Sequence, residues 1–428
     1  MDAIKVEGGV PLHGTIHVEG AKNSALKLMA ATIMAPGVYH LTRVPDISDV
    51  RIMRKVLETL GASVVYEGAH ELRIDTNDVD KWVTPYELVT QMRASISVLG
   101  PLLVRFGRAV VAMPGGCNIG ARSIDQHLAG LEALGVTTSN KHGDISAKVG
   151  DGMVGATVEL DFPSVGATEN VMMASTVAKG TTRIVNVARE PEIVDLADML
   201  VEMGAHISGA GTPVIEVEGV DPSELHACDH ETVGDRIEAG TFIVAGALCA
   251  DELTVTGFDP DHLGVPLRKM ELMGVELERG EDSVTVRRAS SLRATDVQTL
   301  PYPGFPTDMQ AQFMTLESQA QGTSFITENV FENRFMLAAE LARMGADIRI
   351  EDRHALVSGP TPLTGAPVKS PDLRGGAALV IAGLIADGVT YVSGTRHIKR
   401  GYERFVEKLR SVGAKCEHVD IPDPESEE

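Results

Sequence analysis

The sequence predicts an α/β protein of two similar domains, each assembled from three copies of one structural unit. Three observations carry this reading. First, a phrase recurs six times: "LETLGASV", "LEALGVTT", "LVEMGAHI", "MELMGVEL", "LARMGADI" and "LRSVGAKC". Second, a segment rich in apolar and small residues precedes each copy. Third, each copy is followed by alternating or β-branched residues. A fixed period of this kind marks a repeat architecture.

The repeat glycines are Gly61, Gly135, Gly204, Gly274, Gly345 and Gly413, at separations of 74, 69, 70, 71 and 68 residues. Each closes an amphipathic helix. In "EIVDLADMLVEMG", Ile193, Leu196, Leu200 and Met203 fall at helical spacing, and Gly204 suits the left-handed position beyond the helix end. The residues that follow, as in "ASVVYEGAHELRID", read as a strand and hairpin. The preceding segments are "NSALKLMAATIMA", "ASISVLGPLLV", "ATENVMMASTVA", "GTFIVAGALCA", "DMQAQFMTLESQA" and "GAALVIAGLIA". They are apolar around most of their circumference, which predicts buried helices.

The sixth unit ends early, in one strand and an acidic tail, whereas "IKVEGGV" and "GTIHVEG" stand unassigned at the N-terminus. Residues 1–21 are therefore expected to complete the C-terminal half. The expected domains are 1–21 with 234–428, and 22–233, with the chain crossing near Lys22 and near "ETVGDRIEAG". Two domains joined by a double crossing imply a hinge and a cleft.

Composition narrows the function. The net charge is −22, from 38 basic and 60 acidic residues, a field that opposes nucleic acid and anionic membranes. No apolar run approaches the ~18 residues of a membrane span. The start "MDAIKVEGG" lacks a signal peptide, and four scattered cysteines (Cys117, Cys228, Cys249, Cys416) suit reduced thiols. The expectation is a cytoplasmic protein. "HACDH" is not expected to be a metal site, since no second cluster of ligands accompanies it. No P-loop or dinucleotide fingerprint is present, so neither metal nor cofactor is expected.

Basic residues stand at or near many expected helix starts: Lys22, Arg93, Arg122, Arg189, Arg236, Arg334, Arg374 and Arg400. A helix N-terminus already carries partial positive charge, so added cations there do not serve helix stability. Binding of a small anion explains them, with a minority left as surface ion pairs.

"GAKNSAL", "QMRASI", "PGGCNIGAR", "SVGAT", "AREPEIVD", "GDRIEAGTF", "FPTDMQAQF", "ENVFENRF", "DLRGGAALV" and "HIKRGYERF" closely resemble the UDP-N-acetylglucosamine enolpyruvyl transferase family, in matching order from about residue 3 to residue 416. The resemblance implies an EPSP synthase-like fold, two inside-out α/β barrels of three units each. It implies transfer of enolpyruvyl from phosphoenolpyruvate to the 3′-hydroxyl of UDP-N-acetylglucosamine, through a tetrahedral intermediate, in the first committed step of peptidoglycan synthesis. Such chemistry needs cations for phosphate and carboxylate, an acid for the methylene carbon and a base for the hydroxyl.

By motif, the resemblance assigns Lys22, Asn23, Arg122 and Arg400 to phosphoenolpyruvate, where a guanidinium fork suits both anionic groups. Asp308 of "FPTDMQ" is implied to face the sugar hydroxyl, although a carboxylate at a helix start also has a purely stabilising role. Cys117, in its glycine-flanked segment, is implied to protonate the methylene and to be alkylated by the epoxide fosfomycin. For the nucleotide sugar the matched positions are Arg93, Arg122, Ser123, Ile124, Asp125, Gln126, Ser164, Val165, Gly166, Asp308 and Val330. Glu190, Arg334, Asp372 and Arg374 match residues that line or close the cleft.

Departures occur where the family commonly has Pro and Leu and this chain has Ser123 and Gln126. Phe162-Pro163 stands in place of Lys-Val, which removes a candidate diphosphate contact. Two other functions remain open at this stage: an EPSP synthase-like transferase acting on another acceptor, and a catalytically silent UDP-sugar-binding paralogue.

Overall fold

The computed structural model describes residues 1–113, 124–141 and 143–422. The chain divides into two compact units. One takes Met1–Glu19 and the chain from Gly234 onward; the other takes most of the stretch between Gly20 and Val233. Each has its own hydrophobic core. The boundary falls at Glu19/Gly20, slightly ahead of residue 22, because Gly20 N–H donates to Arg43 O and Ala21 N–H to Val233 O.

In the first unit, the N-terminal strands are built into sheets made by the C-terminal chain. Asp2–Glu7 lies antiparallel between Val389–Ser393 and Lys415–Asp420, pairing Ile4 with Val392 and Val6 with Cys416. Leu12–His17 runs parallel to Ala250–Thr256, which pairs antiparallel with Ser283–Arg287. A third sheet joins Ala320–Thr327, His354–Gly359 and Asp347–Glu351. The second unit also has three sheets among the described residues.

Helices fill the interior of each unit. Every residue of Arg236–Cys249 and of Gln310–Glu317 is buried, as are Arg374–Leu384 of the helix Leu373–Ile385. These three pack on one another. Close approach requires small residues: a Cβ on Gly240 would lie 2.8 Å from the Met309 thioether. In the second unit the interior helices are Lys22–Ala31, Leu99–Phe106 and Val165–Ser175. "ASISVLGPLLV" does not form one continuous α-helix. A 3₁₀ turn covers Arg93–Val98 and the α-helix starts at Leu99. The cause is Pro101, which lacks an N–H and would clash with the carbonyl of residue 97 in a longer helix.

The six repeat glycines all lie at, or just beyond, a helix end with positive φ: Gly61 113°, Gly135 88°, Gly204 102°, Gly274 102°, Gly345 105° and Gly413 102°. A side chain at that φ would be strained, so glycine is the residue that lets the chain turn from helix into strand.

Candidate functional site

Three of the sequence-assigned residues meet within the first unit. Asp308 lies in the 3₁₀ turn Thr307–Met309 that leads into the helix Gln310–Glu317. Its Oδ1 accepts from Arg334 Nη2 at 2.6 Å, and its Oδ2 from Arg374 Nη2 at 3.2 Å. Both guanidinium groups are buried, whereas a quarter of the Asp308 side chain stays exposed. The carboxylate is thus oriented from two sides and still reachable. Charge-assisted bonds of this kind are short and directional.

The supporting residues follow outward. Arg334 Nη1 also donates to Thr307 Oγ1 at 2.8 Å, and Thr307 donates to Glu328 Oε2 at 2.8 Å. Glu328 Oε1 accepts from Thr299 and from the backbone N–H groups of Val330 and Phe331, which fixes the turn carrying Val330. Arg374 sits with its guanidinium 5.2 Å from the Tyr402 ring centre. Burial opposes its charge, but Tyr402, Asp308 and Asp235 hold its pKa above the ordinary arginine range. Asp372 is the N-cap of the Leu373 helix, accepting from Arg374 N at 2.8 Å and Gly375 N at 3.0 Å. Arg400 ends the short turn Ile398–Arg400. Burial, then Arg396 and Arg400, depress the pKa of His397, while Asp372 acts in the opposite sense.

In the second unit, Lys22 opens its helix, and no side chain caps that helix start. Lys22 Nζ lies 2.8 Å from Asp49 Oδ2, a carboxylate almost without solvent exposure. Asn23 is in the same first turn. Arg93 begins the 3₁₀ turn, close enough for its charge to act on His127. Ile124 and Asp125 begin the helix Asp125–Ala133, and Gln126 Oε1 accepts from Phe162 N at 3.3 Å. Ser164 is the N-cap of the Val165 helix, its Oγ accepting from Ala167 N. Gly166 admits the Asp125 helix: a Cβ there would lie 2.8 Å from His127 Cε1. Glu190 precedes Pro191–Glu202 and, with Glu192, adds negative charge near the buried Glu169.

Cys117, Arg122 and Ser123 lie outside the described residues. Of the remaining site residues, Asp308, Arg334 and Arg374 are in direct contact, and Val330 and Asp372 join them through Glu328 and the Leu373 helix start. Ser164 and Asp372 carry helix-capping duties that the motif assignment alone does not indicate. Asp49, Thr307, Glu328 and Tyr402 were not singled out from sequence. Asp49 and Tyr402 are remote along the chain from Lys22 and Arg374, whereas the short spacings of Thr307 to Asp308 and of Glu328 to Val330 offer a sequence signal.

The chain matches the family model "EPSP synthase (3-phosphoshikimate 1-carboxyvinyltransferase)" over residues 6–409. The chain belongs to this family of carboxyvinyl transferases. It is 51% identical over 421 residues to UDP-N-acetylglucosamine 1-carboxyvinyltransferase 2 of Carboxydothermus hydrogenoformans, covering 98% of this chain and all of that protein. Its identity to the UDP-N-acetylglucosamine 1-carboxyvinyltransferase of Solibacter usitatus is 49%, with the same coverage of both chains. Among solved structures, the enolpyruvyl transferase NikO from Streptomyces tendae superposes with a TM-score of 0.89 at 28% identity, covering 98% of this chain and 99% of that one. EPSP synthase from Acinetobacter baumannii gives 0.76 at 17% identity, covering 98% and 100%, and shares the fold. Among the described residues, no helix is long and apolar enough to cross a membrane.

Proposed function

We propose that the chain transfers the enolpyruvyl group of phosphoenolpyruvate to the 3′-hydroxyl of UDP-N-acetylglucosamine, releasing phosphate, as the entry step of peptidoglycan synthesis in the cytoplasm. The observation that carries this reading is identity of about half the residues, end to end, with relatives bearing that activity in their names. In the addition step, the sugar oxygen bonds to C2 of phosphoenolpyruvate while C3 gains a proton. In the elimination step, C3 loses a proton, the C2–O bond to phosphate breaks and the double bond re-forms.

Asp308 takes the proton of the sugar hydroxyl. Its support is the grip of Arg334 and Arg374, which fixes its oxygens while leaving part of the carboxylate exposed. Lys22, Asn23, Arg122 and Arg400 hold the anionic groups of phosphoenolpyruvate, and Cys117 supplies the proton to C3. The nucleotide sugar is held by Arg93, Ile124, Asp125, Gln126, Ser164, Val165, Gly166 and Val330, with Ser123, Glu190, Arg334, Asp372 and Arg374 beside it. Phe162, 40% exposed, occupies the sequence position at which the resembled family has a lysine, so in this reading the diphosphate is held without that charge. Fosfomycin alkylates Cys117.

Phosphate release on mixing both substrates tests the reading. Release with shikimate 3-phosphate but not with the nucleotide sugar identifies a different acceptor. Tight nucleotide-sugar binding with no release identifies a silent binding protein.

A further inference from the structure

One carboxylate in the second unit holds the head of the Lys22 helix from both sides. Asp195, on the helix Pro191–Glu202, accepts through Oδ2 from the fully buried Ser24 hydroxyl and from Val233 N–H at 3.2 Å. Val233 in turn accepts, through its carbonyl, from Ala21 N–H at 2.6 Å. Ala21 and Ser24 flank Lys22 and Asn23. The two residues assigned to phosphoenolpyruvate are therefore bracketed by contacts that converge on Asp195.

His230 holds Asp195 in turn. Its Nε2 lies 3.1 Å from Asp195 Oδ1 and its Nδ1 2.7 Å from Glu202 Oε2, with the ring largely buried. A carboxylate offers no hydrogen, so both ring nitrogens must donate, and only the imidazolium does so. Burial opposes that charge, but the bonds to Asp195 and Glu202 outweigh it and raise the pKa. The surrounding charged and titratable groups are Asp198 on the Asp195 helix, Cys228 beside Met199, and the two residues flanking His230 on its own strand, Asp229 paired with His40 and Glu231 with Arg43. Neither His230 nor Asp195 belongs to the proposed catalytic set.

We propose that Asp195, clamped by the His230 imidazolium, is a positioning residue that presents Lys22 and Asn23 to phosphoenolpyruvate. This rests on Lys22 contacting that substrate. The test is steady-state kinetics of the full chain as a function of pH. Asp195→Asn and His230→Gln should raise KM for phosphoenolpyruvate about tenfold, the scale of one lost charge-assisted hydrogen bond, with KM for the nucleotide sugar unchanged. In the wild type, KM for phosphoenolpyruvate should rise as alkaline pH removes the His230 proton; His230→Gln should abolish that rise. Ser24→Ala should share the defect and Ser24→Thr, which keeps the hydroxyl, should restore it, a comparison that stands even where Asp195→Asn fails to fold. If Lys22→Ala raises KM for phosphoenolpyruvate while His230→Gln and Ser24→Ala leave both KM and pH profile at wild type, the positioning role is wrong. If Lys22→Ala itself leaves that KM unchanged, the assignment of Lys22 fails, and the positioning role falls with it.

Discussion

Asp308 and Arg334 are joined by a 2.6 Å contact between Oδ1 and Nη2, with the guanidinium buried and the carboxylate partly open. The pair separates two roles that sequence alone merges: Asp308 is a structural anion held by two guanidinium groups, and it is the proton acceptor proposed above. Asp308→Asn keeps the shape and removes the charge. It should lower kcat by about a hundredfold or more, the usual contribution of a positioned base. Stability should fall by about 2 kcal/mol, less than for a fully buried pair because water reaches Asp308. Single-turnover phosphate release and urea unfolding measure the two effects separately.

Lys27 and Glu169 form a buried ion pair between the Lys22 and Val165 helices, with Nζ 2.6 Å from Oε2. Burial raises the Glu169 pKa, and Lys27 counteracts it. Glu169→Gln should therefore destabilise the protein by about 3–5 kcal/mol by leaving Lys27 unmatched. The double variant Lys27→Met/Glu169→Leu should recover most of that loss. Denaturant unfolding of the single and double variants decides the outcome; equal losses in both would mean that the pair itself, not the stranded charge, carries the stability.

His127 is pushed down to about 4 by burial, followed by the charges of Arg93 and Lys27. It bonds Asn170 at 3.0 Å as a neutral ring. Its folded pKa lies below its unfolded value, so the unfolded chain takes up the proton first as pH falls. Stability should thus decline between about pH 6.5 and 4, by about 3 kcal/mol in total from this residue. His127→Gln should flatten that part of the stability curve, as followed by urea midpoints across pH.

Burial disfavours the thiolate at each of the described cysteines. Burial pushes the Cys228 and Cys249 thiols up to about 12 and Cys416 up to about 11. Fosfomycin, or limiting iodoacetamide, should therefore label the native chain once, at Cys117, by peptide mass mapping. Labelling at Cys228 with Cys117 untouched would remove the proposed thiol chemistry.

Much of the architecture was legible in the sequence because it is written in local terms. Gly204 ends a helix in the left-handed region whatever surrounds it, and five other glycines do the same at a near-constant period. "GTFIVAGALCA" is apolar on every side, and the helix that contains all but its last residue is buried throughout. The break ahead of Pro101 is also local, but a hydropathy pattern does not reveal it, because a proline barely changes hydropathy. The supporting shell was not legible. Lys22 meets Asp49, and Thr307 meets Glu328, only once helices and sheets are packed. Both nitrogens of His230, within "HACDH", face carboxylates from the helix Pro191–Glu202, far along the chain. Such pairings depend on tertiary packing, on which spacing is silent.

The most direct measurement is the release of inorganic phosphate by the purified chain given phosphoenolpyruvate and UDP-N-acetylglucosamine together, with mass detection of the nucleotide product. The account predicts stoichiometric phosphate and a UDP-sugar heavier by one carboxyvinyl group, both lost in Cys117→Ser and formed about a hundredfold more slowly in Asp308→Asn. A folded wild-type chain that binds both substrates yet releases no phosphate would contradict it.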